Sequence, residues 1–562
     1  MTVSPLPESR DASPATQISL RGVPAAALAG VSVSGSRSGA HPGRLEPYSQ
    51  GDGASFVPAR PFSPGELVSV RGTAVSGARR TALAFRFTVA QPDTFGEAGG
   101  SAAPPPKPSD FQSFHSRVDL KPPRVTVTAH APGASPGDLL LAPYSGPGQY
   151  GPMILDEAGK LIWFKPLTPS GARAADLRVQ SYEGKPVLTW WQDPLVTATS
   201  RKSGIVMADS SYRTIHVVRA GNGYQPDLHE FQIRPNGSAL ITVYDGINCN
   251  LSAIGGPAAG AVADTLMQEV DIRTGLVRYE WHSLDHVPLT DAYVSPRPGS
   301  QKEPFDFFHI NSIDVQRDGS LLVDARNTWA AYDLDAATGQ VRWRIGGKHS
   351  SYKLGPGTVT AFQHDARQQP NGNLTFFDNG ATPAVHPQSR GIEVSLQPNG
   401  MTATLTRRVE HSPKLIAGSQ GNLQVLPGGD WLIGWGQSPW FTEYGPQGQL
   451  LFDAHLPSAY ESYRTFRQAW SAQPAVGPAF AFVRSGRGGV VYASWNGATG
   501  VASWRVLTGT SPSAMSAAVT RPRSDFETPL ALATAPSSGA YLSVQALSPS
   551  GAVLGQSVPK RL

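Results

Sequence analysis

The sequence predicts an all-β protein: a β-propeller of about six blades flanked by an N-terminal and a C-terminal β-sandwich. Three observations predict it. Short apolar stretches alternate with polar residues between Gly, Asn, Asp or Pro, and few segments carry a sustained helical period. The 562 residues include 59 glycines and 50 prolines, which is turn-rich but short of low-complexity disorder, while 12 Trp, 16 Tyr and 21 Phe suffice to fill large cores. Two kinds of hairpin phrase recur in series through the middle of the chain.

Residues 1–15 are polar and read as a flexible N-terminus. Over 16–90, strand candidates such as Ala54-Ser55-Phe56-Val57, Glu66-Leu67-Val68-Ser69-Val70 and Ala82 to Val89 suggest a small N-terminal sandwich, Ig- or fibronectin-like. Residues 91–124 contain the run Gly99 to Pro108, a Pro/Gly-rich linker composition.

Between 125 and 470 the phrase "apolar strand, Asp, short Gly turn, apolar strand ending in Trp" returns. It appears at Asp156 to Trp163, Asp271 to Trp281 and Asp333 to Trp343, with a weaker copy at Glu443 to Phe452. Second hairpins lie between these, turning at Asn236-Gly237, Asp318-Gly319, Asn371-Gly372 and Gly428-Gly429. Asn-Gly and Asp-Gly suit tight turns because both residues tolerate positive φ. Two hairpins make a four-stranded unit, and such units in series make a propeller; stacked sandwiches are the alternative. Blade-end Trp163, Trp281 and Trp343 read as packing core. After 470, strands around Val490-Val491-Tyr492, Val501 to Leu507 and Tyr541 to Leu547 suggest a fibronectin III-like sandwich over 471–562.

The net charge of +5 is small for this length, and no basic run or aromatic-basic interleaving appears, so a nucleic-acid partner is not expected. No apolar run of about 18 residues exists, so no membrane span is expected. Cys249 is the single cysteine, which excludes an intrachain disulfide. Met1 to Gln17 lacks the basic and apolar regions of a signal peptide, which leaves a cytoplasmic location open.

Three histidines sit in short polar phrases at strand ends: Asp227-Leu228-His229-Glu230-Phe231, Phe308-His309-Ile310-Asn311-Ser312 and Phe362-Gln363-His364-Asp365-Ala366-Arg367. The last two are each followed by a turn and a buried strand, ending in Asp324-Ala325-Arg326 and Phe377-Asp378-Asn379. A lone histidine in a β-protein is usually a hydrogen-bonded structural group. Three in matching phrases with an arginine favour a shared site. A zinc site is disfavoured by the lack of spaced Cys or an HExxH pair and by Arg326, a poor neighbour for a cation. No metal or other cofactor is expected. Asp365 and Asp378 read as supporting turn residues.

Taken in order over about 340 residues, these phrases and others resemble the arylsulfotransferase family that works without a nucleotide sulfate donor. The further phrases are Thr189-Trp190-Trp191-Gln192, Trp343 to Lys348, Gly418 to Leu426 and Ser462-Tyr463-Arg464. The resemblance implies a six-bladed propeller with an added sandwich and an extracellular or cell-surface location. It implies an aryl sulfate donor, a phenolic acceptor and a transiently sulfated histidine, matched by His364. His229, His309 and Arg326 match the groups that hold the sulfuryl oxygens, and Asn311 matches a supporting asparagine and is expected to help bind substrate. Where one branch of the family has a histidine after the arginine, this chain has Asn327, and Cys249 lacks that branch's cysteine partner.

The chemistry agrees with that assignment. Sulfuryl transfer, like phosphoryl transfer, spreads charge over non-bridging oxygens, so cationic donors and positioning supply most of the rate. A neutral imidazole is a competent nucleophile and leaving group, and Arg326 offers a planar fork. Trp190, Trp191, Trp435 and Trp440 are candidate aryl-stacking groups. A ligand-binding scaffold without catalysis and an aryl sulfate hydrolase are the alternatives, and the oligomeric state is open.

Overall fold

The computed structural model describes residues 1–76, 79–93, 105, 107–169, 171–196, 202–296 and 303–562. The described chain is all-β, with only six three-residue 3-10 turns beside its strands. Most of the expected linker run lies outside the described residues.

Six sheets follow one another between Thr126 and Gln468. Sheets two, three and four are antiparallel meanders in chain order, and Pro92–Asp93 pairs in addition with the second strand of sheet three. Sheet two is Arg173–Tyr182, Lys185–Asp193, Gly204–Ala208 and Thr214–Val218. Sheet three is Phe231–Ile233, Ser238–Cys249, Gly260–Asp271 and Val277–His282. Sheet four is Ile310–Val315, Leu321–Ala325, Ala330–Leu334 and Val341–Gly346. Sheet five is His364–Gln368, Leu374–Asp378, Arg390–Gln397 and Thr402–Glu410, with Lys353–Leu354 added in parallel at its edge. The turns between the first two strands share one device. Asn236, Asp318 and Asn371 each accept the backbone N–H two residues on, while Gly237, Gly319 and Gly372 take φ of 83–87°.

Sheets one and six are stitched by the two ends of this region. Thr465–Gln468 pairs with Asp138–Leu141, completing the sheet that continues through Met153–Leu155 and Leu161–Phe164. Thr126–His130 pairs with Leu450–His455, the last strand of the sheet begun by Asn422–Val425. Neighbouring sheets touch in a cyclic order. Thr465–Gln468 lies beside Arg173–Tyr182, that strand beside Phe231–Ile233, and Ser238–Cys249 beside Ile310–Val315. Ile310–Val315 lies beside His364–Gln368, then Asn422–Val425, and so back to Thr465–Gln468. Trp163 and Trp281 pack in the cores between sheets, as expected, and Trp343 packs half-buried against a third.

Before Thr126, two four-stranded sheets share one core of Ile18, Leu20, Phe56, Val68, Val70 and Phe87. The first fifteen residues are part of this arrangement rather than a loose lead. Thr2–Ser4 pairs with Ile18–Arg21, Ala12 is fully buried, and Ser13 donates to the Asn222 carbonyl. These sheets dock on sheet three, where the Tyr48 hydroxyl donates to the Val277 carbonyl at 3.0 Å and Arg278 pairs with Asp52 at 2.9 Å. After Gln468, sheets of three and five strands share a core of Phe480, Val491, Trp504, Leu530 and Val544. Asn496 clamps them to sheet one, accepting from the Phe164 N–H and donating to its carbonyl.

Candidate active site

The three histidines occupy the same place in successive sheets. His229 lies two residues before the first strand of sheet three, His309 immediately precedes that of sheet four, and His364 opens that of sheet five. Arg326 follows the second strand of sheet four. Sheet alignment therefore brings together groups far apart in sequence. The His229 and His309 rings are 5.0 Å apart and nearly perpendicular. Tyr463 touches both His229, at 5.2 Å, and His364, at 6.5 Å between centroids. Tyr244 stacks on His229 and meets His309 edge-on.

The backing of the rings differs. His229 Nδ1 pairs with Asp227, and His309 Nδ1 pairs with Asp306. His364 Nδ1 instead faces neutral acceptors, the Asn379 amide oxygen at 2.7 Å and the Phe362 carbonyl at 3.1 Å. Its Nε2 accepts the Gln420 backbone N–H at 3.2 Å. That pattern sets a tautomer with the proton on Nδ1 and the lone pair on Nε2. Burial, then the charges of Arg326 and His309, holds His364 well below its ordinary value of 6.5, so it is neutral at pH 7. Burial also lowers His309, against the upward pull of Asp306. Burial pushes the Asp227 carboxyl up, but His229 and backbone N–H groups outweigh it and leave it below the usual range.

Arg326 is held by the Asn327 side chain at 2.8 Å and the Gly418 carbonyl at 3.0 Å, and it lies over the Phe362 ring. Its Nε has no protein partner although buried. Asn327 also donates to the Asp306 carbonyl at 2.7 Å, so one amide fixes both the arginine and the loop behind His309.

Asn311 is buried, but it is not placed as a substrate contact. Its amide donates to the Gln363 carbonyl at 3.0 Å and accepts from the Asp365 N–H at 3.1 Å, gripping the backbone on either side of His364. Its own carbonyl accepts from Tyr463 and Arg464. Beneath lies a buried network in which Glu230 meets Arg178, Arg367 and Arg464, with Asp176 and Asp365 completing the charge balance. The arginines hold Glu230 ionised far below the carboxylate range despite burial.

The tryptophans expected at the mouth are elsewhere. Trp190 packs against Trp163 in the core between sheets one and two, and Trp435 is fully buried in the core between sheets five and six. Trp191 is buried and donates to the Pro226 carbonyl at 2.8 Å, supporting the Asp227 loop from behind. Trp440 packs between His411 and His455. The aromatic groups next to Arg326 are Phe362, Trp329 and Tyr293. Trp329 meets Phe362 at 5.1 Å and stacks on the exposed Tyr293 at 3.7 Å.

The sequence reading did not single out Asp227, Asp306 or Asn379. A signal existed for the first two, an aspartate two or three residues before the histidine. Asn379 lies fifteen residues beyond His364, and only the hairpin pairing of His364 with Phe377 brings it close.

Residues 178–456 match a family model described as arylsulfotransferase (ASST). No curated protein matches the chain. Among solved structures, a protein of unknown function from Bacteroides caccae is 15% identical, with a TM-score of 0.37, over 59% of this chain and 98% of that one. A catalytically inactive virginiamycin B lyase from Staphylococcus aureus, with quinupristin, is 11% identical, with a TM-score of 0.29, over 66% of this chain and 96% of that one.

Proposed function

Residues 178–456 belong to the arylsulfotransferase family, and from that premise we propose that the chain moves a sulfuryl group from an aryl sulfate to a phenol through His364. The observation that carries this is the neutral His364 ring, its proton held by Asn379 and its Nε2 lone pair turned to the Gln420 N–H, within reach of the charge of Arg326.

In the first half-reaction, Nε2 attacks sulfur, the N–S bond forms and the aryl S–O bond breaks. Arg326, with its free Nε, takes charge on the sulfuryl oxygens. The Gln420 N–H, now directed at Nε2, turns to a sulfuryl oxygen as the lone pair is used. The leaving phenolate takes a proton from His309 or His229, whose Nδ1 atoms are paired with Asp306 and Asp227. In the second half-reaction a phenol gives its proton back to that imidazole, its oxygen attacks sulfur and the N–S bond breaks. His309 suits this exchange because it is only part-buried whereas His364 is buried. Phe362, Trp329 and Tyr293 form the aryl wall.

The cyclic contacts of the six sheets and their stitching by Thr126–His130 and Thr465–Gln468 support reading 125–470 as a six-bladed propeller. Residues 16–90 and 471–562 are then flanking sandwiches. Incubation with p-nitrophenyl sulfate tests the function. Nitrophenol release that depends on added phenol is expected, with a sulfo adduct on His364 when phenol is withheld. Phenol-independent release would mean a hydrolase. Silence over a panel of donors would favour a binding scaffold.

A further inference from the structure

A second buried cluster lies away from these histidines, where the N-terminal segment meets the outer strands of sheet three. His282 ends the strand Val277–His282, and Asp264 lies on the adjoining strand. His282 Nδ1 is 2.6 Å from an Asp264 oxygen and 4.0 Å from Asp11 Oδ1. One ligand atom from each of the three residues fits within 4.8 Å of the others, and all three side chains are more than nine-tenths buried. On the far side of the ring, Nε2 is 3.6 Å from Glu280 Oε2. The other Glu280 oxygen is committed, accepting from Asn222 at 2.7 Å and Gln268 at 2.6 Å.

Three atoms in this cluster lack any hydrogen-bond partner: Asp11 Oδ1, His282 Nε2 and Glu280 Oε2. Orphaned polar atoms on nine-tenths-buried charged side chains carry a desolvation cost that a protein seldom leaves uncompensated. The charge is also unbalanced, since Asp285 and Asp245 face the same imidazole. Buried Tyr224 faces the same carboxylates.

We propose that Asp11, Asp264 and His282 bind a divalent transition-metal ion of the Zn²⁺ or Mn²⁺ class, through one oxygen of each aspartate and Nδ1 of His282, with Glu280 holding the ring from behind. The imidazole ligand selects this class over Ca²⁺ or Mg²⁺, which prefer all-oxygen shells. Metal-bound histidines usually donate their second N–H to a carboxylate, and Glu280 Oε2, 3.6 Å from Nε2, is the carboxylate placed to take that proton once an ion draws on the ring. A cavity of about 350 Å³ lined by Thr2, Val3, Glu280, His282 and Asp285 borders the His282 side of the cluster. Asp11 comes from the N-terminal segment and the other ligands from sheet three, so the ion would fasten one to the other.

The test uses the full chain, stripped with EDTA, exchanged into Mn²⁺ or Zn²⁺ and desalted. Elemental analysis should find about one ion retained per chain, and the melting temperature should rise with metal concentration. Asp264→Asn and Asp11→Asn should abolish retention, and Glu280→Gln should weaken binding about 10- to 100-fold. Near-UV circular dichroism checks that each variant is folded. If Asp264→Asn fails that check, Asp11→Asn reads the same ligand set from a peripheral segment. No retained ion and no melting shift in the wild type would overturn the site, as would retention unchanged in folded Asp11→Asn. A response to Ca²⁺ but not to Mn²⁺ or Zn²⁺ would overturn the imidazole ligand.

Discussion

His364 and the pair His229–His309 occupy equivalent strand ends of neighbouring sheets, yet their second nitrogens meet different chemistry. The pair is backed by carboxylates, Asp227 and Asp306, and His364 by the amide of Asn379. A carboxylate behind an imidazole stabilises the cation and suits a group that takes and gives protons. An amide fixes the tautomer without drawing in a proton, which suits a nucleophile that must keep its lone pair. The repeat supplies the position, and one acceptor behind each ring divides the labour.

The largest expected effect follows from removing the proposed nucleophile. His364→Ala should lower turnover by on the order of 10³-fold or more and abolish the sulfo adduct. Asp227 and Asp306 cannot compensate, because they act through other rings. Retention of ping-pong turnover in this variant would break the division of labour outright.

Asn379→Asp would turn the amide-backed histidine into a carboxylate-backed one. The pH dependence then has a definite sign. In the proposed mechanism His364 attacks only when neutral, and burial with Arg326 and His309 holds its protonation below 6.5, so the acidic limb of the rate profile should lie below that pH. A new carboxylate at Nδ1 favours the imidazolium, so the limb should move upward by about one to two pH units. Activity at pH 6 should fall while activity at pH 8 changes little. An unmoved limb would mean that the limb does not report His364. The complementary change, Asp306→Asn, should cost about tenfold, mainly in the proton-dependent transfer to phenol, and should spare formation of the His364 adduct.

Much of this arrangement is legible locally. The Asn-Gly and Asp-Gly turns announce their hairpins because the side chain at Asn236, Asp318 or Asn371 closes the turn on its own backbone. The histidine phrases are legible because each sits at the same point of its unit. The stitching of Thr126–His130 to Leu450–His455 is not, since pairing over more than 300 residues leaves no local mark. Asn379 stayed hidden because its partnership with His364 depends on strand register. The role of Asn311 misled for a related reason: an amide that grips the backbone on both sides of a nucleophile reads, in sequence, like one that meets substrate.

The tryptophans give the smallest effect on activity and the sharpest limit on the comparison. Consecutive Trp190 and Trp191 point to opposite faces of one strand, and sheets stacked on both sides bury both faces. Residue type alone cannot separate a packed indole from an exposed platform. Trp435→Phe removes an N–H that donates to Thr442 at 3.0 Å inside a closed core. It should cost about 1–2 kcal/mol of stability in a denaturant titration and leave the Michaelis constant for p-nitrophenyl sulfate unchanged. Trp329→Ala should do the reverse, weakening aryl binding severalfold with little loss of stability, because Trp329 lies half-exposed on Tyr293 beside Phe362. A raised Michaelis constant in Trp435→Phe, with none in Trp329→Ala, would move the aryl wall from sheet four to sheet six and separate it from the Arg326 side of the site.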